Sequence, residues 1–191
     1  MSAGFSTLAT ASATLLGLVL VAVIFAYRSV FTRLDRIADF HELARWIWTS
    51  GFSCFMYFGA CLLIAFRMMD RDVGKPTLVW ILALFSAALL VAHVMETYYL
   101  HSMARLNRRG FKNLVAVQDA LIALVLAVFE VMSWLAVFKT SPAAFELELY
   151  TALTYTLFLA SFRSVALVVF SFRAITLLEQ VDQTPDSSLF T

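Results

Sequence analysis

Residues 159–175 read LASFRSVALVVFSFRAI. The segment is apolar for most of its length, yet Arg163 stands in its first third and Arg173 near its end. A guanidinium inside a lipid-soluble run persists cheaply only where it faces protein instead of hydrocarbon. The segment therefore reads as a membrane helix with one face turned to other helices.

Working outward, it belongs to one of five apolar stretches, at approximately 9–27, 46–66, 77–100, 114–138 and 143–172. Each is near or above the ~20 residues that cross a bilayer as a helix. Of the 191 residues, 62% are hydrophobic and 14% charged. Soluble domains lie closer to about one-half and one-quarter. Eighteen Phe and three Pro suit long apolar helices, and a net charge of +1 offers no surface for nucleic acid. The expected fold is all-α: a polytopic membrane helix bundle of about five transmembrane helices. Residues 1–178 form a single transmembrane domain, and 179–191 (EQVDQTPDSSLFT) form a loose polar tail. Span 1 lacks a basic n-region, and Ala9, Ala11 and Ala13 precede its apolar run, so it reads as an uncleaved span. Pro76 and Pro142 stand at helix starts, where a missing N–H costs nothing, with Ser141 as an N-cap.

Orientation follows from Lys and Arg, which favour cytoplasmic connections. The connection after span 1 carries Arg28, Arg33, Arg36 and Arg45, and the one after span 3 carries Arg105, Arg108, Arg109 and Lys112. Arg173 joins them on the same side. The other side holds only Arg67, Arg71, Lys75 and Lys139. The expectation is an outside N-terminus and a cytoplasmic C-terminus in an inner or plasma membrane. The first connection also repeats apolar residues at roughly helical spacing: Val30, Phe31, Leu34, Ile37, Ala38 and Phe40. It either continues span 1 as a helix, lies along the membrane surface or is a solvated connector. Loops 28–45 and 101–113 are the candidate surfaces for a cytoplasmic protein partner or anionic lipid.

Lipid gives helices no hydrophobic reason to associate, so small residues mark close contacts. Ala9, Ala13 and Gly17 form such a stripe in span 1, Ala116, Ala120, Ala123 and Ala127 in span 4, and Ala152, Thr156, Ala160 and Ser164 in span 5. These faces meet other helices of the chain or of a homo-oligomer. Charges fall on the same faces. Arg163 lies eleven residues after Ala152, about 20° around an ideal helix, and Asp119 bears the same relation to Glu130. Ala83, Ser86, His93, Glu96 and Thr97 share a face of span 3.

Counting along the spans puts His93, Glu96, Asp119 and Arg163 in the inner half as one charged cluster, with Arg163 pairing to Glu96 or Asp119. Glu130 sits alone in the outer half, level with Tyr155 and Thr156. An intramembrane cluster of this kind is a functional site or an ion-paired staple that fixes helix register. His93 and His101 share one span and His41 is the only other histidine, so neither haem nor a metal site is expected. Cys54 and Cys61 lie seven residues apart, about 10 Å along a helix and beyond disulfide reach. No GxSxG, HExxH or P-loop appears, so neither an enzyme nor a cofactor is expected. Two functional classes follow. One is an oligomeric ion or proton channel, or an ion-coupled transporter subunit. The other is a non-enzymatic membrane sensor, adaptor or accessory subunit that signals to a cytoplasmic partner.

The topology is open to direct measurement. A membrane-impermeant thiol reagent applied to intact cells should leave a reporter cysteine at Asn107 unlabelled. Labelling there would reverse the orientation.

Overall fold

The computed structural model describes residues 2–34, 40–70, 75–104 and 111–182, which form helices and no strands. The helices are α1 (Ser2–Leu34), α2 (Phe40–Met69), α3 (Lys75–Ala104), α4 (Phe111–Val137) and α5 (Pro142–Asp182). All five are long and apolar enough to cross a membrane. The chain is a multi-pass membrane helix bundle. Its outer surface agrees: Leu18, Val21, Phe66, Trp80, Phe138 and Phe158 are exposed, an apolar exterior that only lipid solvates well.

The helices outrun the apolar stretches. α1 continues to Leu34, so the first half of the basic connection after it is helix. No Pro or Gly interrupts that run. α5 continues to Asp182 and takes in the first four residues of the segment expected as a loose tail. Its other end starts at Pro142, where the Ser141 carbonyl accepts from Phe145 N–H at 2.9 Å. Residues 1, 35–39, 71–74, 105–110 and 183–191 lie outside the described residues, and with them the middle of loops 28–45 and 101–113.

Packing defines the architecture. α2 packs on α3, α3 on α4, α4 on α5 and α5 on α2. These four helices enclose a four-sided centre whose diagonals are α2–α4 and α3–α5. α1 lies outside it, against α2 and α5. The end of the bundle that carries Arg28, Arg45 and the α3–α4 connection is called the basic end below.

Two of the three small-residue stripes are not packed within the chain over their whole length. Ala9 is buried, but Ala13 and Gly17 are exposed. Steps of four residues drift by about 40° each around a helix, so such a stripe leaves the contact face after one or two turns. The buried face of α1 instead steps through Phe5, Leu8, Ser12, Val19, Val23 and Ala26. In α4 the whole stripe of Ala116, Ala120, Ala123 and Ala127 is turned outward. The inward positions are Val115, Gln118, Ile122, Val125, Phe129, Ser133 and Ala136. On the α4 side the centre is filled by Ile122, Val125 and Phe129, and small residues at those positions would leave a void. The α5 stripe does face inward. Ala152, Thr156 and Ala160 are fully buried, and only Ser164, the last step of the drift, is half-buried.

α1 and α2 approach closely at Gly51. A methyl group there would lie 2.5 and 2.6 Å from the two Val23 methyls of α1. Gly51→Ala should therefore destabilise the detergent-purified protein by about 1–3 kcal/mol, as overpacking does. Val23→Ala in the same chain should restore most of the loss. A Gly51→Ala variant that melts with the wild type would contradict this contact.

Candidate functional site

The inward row of α5 runs through Ala152, Thr156 and Ala160 to Arg163, which is 1% exposed. The side chain reaches along the α3–α5 diagonal, and its Nη2 donates to both carboxylate oxygens of Glu96. Nη1 donates to Ser53 Oγ on α2 at 3.1 Å. Ser50, one turn before Ser53, donates to Glu96 Oε1. The Arg163 Cζ lies 5.9 Å from the centroid of the Tyr57 ring, a cation–π distance. The other diagonal is closed by Tyr57 of α2 and Phe129 of α4, edge to face at 6.0 Å. Both diagonals of the centre are thus bridged by long side chains at adjoining levels. A buried ion pair is tolerable only when further hydrogen bonds complete both partners, which is what the two serines supply.

Sequence reasoning singles out the charged residues and small-residue stripes of the spans and so passes over Ser50 and Ser53, and with them Tyr57. The signal is present in TSGFSCFMYF, residues 49–58. Ser50, Ser53 and Tyr57 stand at i, i+3 and i+7, one face of α2, at the depth of Glu96 and Arg163.

The expected four-residue cluster divides in two. Asp119 does not meet Arg163. It accepts from Thr97 Oγ1 of α3 at 3.5 Å. Thr97 is the next residue after Glu96, and one residue turns a helix by about 100°. Glu96 therefore points into the centre while Thr97 points along the α3–α4 seam. The Thr97–Asp119 contact sets the antiparallel register of that seam. Eleven residues towards the opposite end on each helix stand Ser86 and Glu130, level with each other and each within about 20° of its starting face. His93 lies between, within about 40° of Thr97.

Glu130 also differs from expectation. Its Oε2 accepts from Trp134 Nε1, one turn along α4, at 3.0 Å. Tyr155 is exposed, and Thr156 faces the core without a hydrogen-bond partner for Oγ1. A local i, i+4 partner wins because it needs no inter-helix register. Glu130 Oε1, Ser86 Oγ and His93 Nδ1 are buried atoms with no hydrogen-bond partner among the described residues. The seam therefore carries Glu130, His93 and Asp119 in file, with two of the three holding an unsatisfied atom.

A third feature lies at the basic end. The Tyr57–Phe129 contact sets the parallel register of α2 and α4, and eleven residues back on each stand Trp46 and Gln118. They are 2% and 1% exposed, and neither Trp46 Nε1 nor Gln118 Nε2 has an acceptor. Cys54 and Cys61 are free and buried in the core. No group of three His, Cys, Asp or Glu that could hold a metal occurs among the described residues.

No family model, no curated protein and no solved structure matches this chain.

Removing one partner of the central pair should leave the other buried and uncompensated, at a cost of about 3–5 kcal/mol in water-based proteins and less in lipid. Arg163→Leu should lower melting temperature and expression, and adding Glu96→Leu should recover part of the loss. Adding Asp119→Leu instead should recover none. Purely additive losses for Arg163→Leu with Glu96→Leu would show that the pair does not hold the bundle.

Proposed function

We propose that this protein is a non-enzymatic ion- or proton-coupled membrane protein, a channel or transporter subunit of an inner or plasma membrane, whose exchanging groups lie along the α3–α4 seam. The observation that carries the reading is the file of Glu130, His93 and Asp119, in which Glu130 Oε1 and His93 Nδ1 are buried and unpartnered. A buried polar atom without a partner costs about 1–3 kcal/mol, and intramembrane titratable groups of this kind mark ion and proton paths. Arg163 and Glu96 serve a different purpose in this reading. Their hydrogen bonds are spent on each other and on Ser50 and Ser53, which leaves them to fix the helices between which the seam runs. A homo-oligomer belongs to the same proposal, with the outward faces of Ala13, Gly17 and the α4 alanines available to neighbouring copies.

One observation favours the alternative, a membrane-embedded sensor, adaptor or accessory subunit. Tyr57, Leu89, Phe129 and Arg163 are all essentially unexposed and fill the centre of the bundle. A filled centre suits an anchor whose cytoplasmic connections engage a partner.

Flux measurements separate the two. Liposomes holding the wild type should take up protons or a monovalent cation under an imposed gradient. Glu130→Gln and His93→Gln should each remove most of that flux while keeping the wild-type melting temperature. If the wild type conducts nothing under any gradient, or both variants match it at every pH, the transport reading falls and the accessory-subunit reading takes its place.

A further inference from the structure

At the basic end of the four-sided centre, Trp46 and Gln118 each present a buried N–H without an acceptor, Nε1 of the indole and Nε2 of the amide. The side chains are 2% and 1% exposed. A leftover hydroxyl in a helix bonds back to its own preceding turn, as Ser171 does to the Leu167 carbonyl. An indole N–H, fixed at the rim of a rigid ring, has no such recourse.

Two separate registers put the pair together. The Tyr57–Phe129 contact aligns α2 with α4, and both residues stand eleven positions before it, within about 20° of the same faces. Through α3, the Ser50–Glu96 bond sets Trp46 opposite Leu100, and the Thr97–Asp119 bond sets Gln118 opposite Tyr98. These levels differ by two residues, about 3 Å. Two donors therefore face each other across the α2–α4 diagonal, and neither can satisfy the other.

Three conditions define what lies between them. It carries acceptor lone pairs. It is neutral, because the guanidinium of Arg163 is spent on Glu96 and Ser53 and an unpaired anion is costly in low dielectric. It is small, because Leu43, Leu100, Val115 and Leu167, one from each of the four helices and each within about a turn of this level, are all buried around it. Water meets all three and brings hydrogens of its own. An acceptor stands about one turn outward. Ser50 follows Trp46 by four residues, about 6 Å or two hydrogen bonds through one water, and donates to Glu96. A carboxylate offers about four lone-pair sites, and Arg163 and Ser50 occupy three of them on Glu96. We propose that Trp46 and Gln118 hold one buried water, which donates to the Glu96 carboxylate and ties α4 into the polar network of the centre. The assignment does not rest on the transport reading, because neither residue lies on the α3–α4 seam.

Nuclear magnetic resonance of the nitrogen-15-labelled chain in detergent tests it, with the Trp46 indole signal assigned by its loss in Trp46→Phe. In the wild type the Trp46 indole proton should be protected from exchange with bulk solvent and yet cross-relax with a long-lived water. Gln118→Met, which keeps the size of the side chain and removes its donor, should weaken that cross-peak and lower the melting temperature by about 2–4 °C. A dry pair predicts the opposite sign, since replacing an unpaired buried donor by an apolar group is neutral or stabilising. Direct acceptance of the Trp46 N–H by the amide oxygen of Gln118 predicts no water cross-peak in the wild type. Absence of that cross-peak, its survival at full strength in Gln118→Met, or a Gln118→Met variant that melts at or above the wild type would overturn the assignment.

Discussion

The guanidinium of Arg163 crossing the bundle to Glu96 is the constraint on which the other contacts depend. In lipid, apolar surfaces gain nothing by leaving their surroundings, so helix association rests on packing and on polar contacts. A charge pair across the α3–α5 diagonal is more demanding than either. It is satisfied in one register only, because Ser50 and Ser53 must reach the carboxylate and the guanidinium at the same time. Three helices are fixed relative to one another by four side chains. The fourth follows through Tyr57, which lies against both the guanidinium and Phe129. Contacts elsewhere agree with this alignment. The Ser50–Glu96 pairing sets α2 against α3, and the same register puts Tyr57 opposite Leu89 and Trp46 opposite Leu100, all buried.

That saturation decides what the pair does. A group exchanges a proton or an ion when its partners are incomplete or replaceable. Arg163 and Glu96 are held by each other, by two hydroxyls and by an aromatic face, and removal of any one partner leaves a charge exposed to low dielectric. In the transport reading proposed above, the seam between α3 and α4 is the reverse case. Its titratable groups meet one hydroxyl and an indole N–H, and three of its buried polar atoms, on Glu130, His93 and Ser86, have no partner among the described residues. One residue of helical phase, Glu96 against Thr97, divides the locked centre from the seam.

Much of this was legible in the sequence, and the boundary of legibility is physical. The five spans follow from apolar length alone, since only a helix satisfies its own backbone in hydrocarbon. The inward direction of Arg163 follows from its eleven-residue spacing to Ala152, which returns to the same face. Depth counting brings Glu96 within its reach. Less legible is which small residues make contacts inside the chain. Ala152, Thr156 and Ala160 lie on such a face, whereas the α4 alanines turn outward because the centre they would meet requires Phe129 and Ile122 instead. Residue size reports a close approach only where two helices are neighbours, and α4 and α2 are diagonal. The spacing of Ser50, Ser53 and Tyr57 marks a common face of α2, but the partners of the two serines were illegible for a related reason. A membrane serine commonly returns its hydroxyl to the preceding turn, as Ser161 and Ser171 do to Leu157 and Leu167. Which serines depart from that habit depends on what faces them across the bundle, and a single chain read along its length does not contain that information.

The place of α1 follows from the same constraint. Four helices suffice to enclose the ion pair, yet α2 and α5, which supply the guanidinium and the hydroxyls, are also neighbours along one side. Without a further helix, the outer seam between them would face lipid directly behind Ser53 and Arg163. α1 packs on both and covers that seam. Gly51 lets it approach within the width of a methyl group, one residue from Ser50. A side chain at position 51 would hold α1 away from the part of α2 that bonds to Glu96. The bundle is therefore built outward from its charge: a pair at the centre, an aromatic contact on the other diagonal, and a fifth helix packed against the two that supply the guanidinium and the hydroxyls.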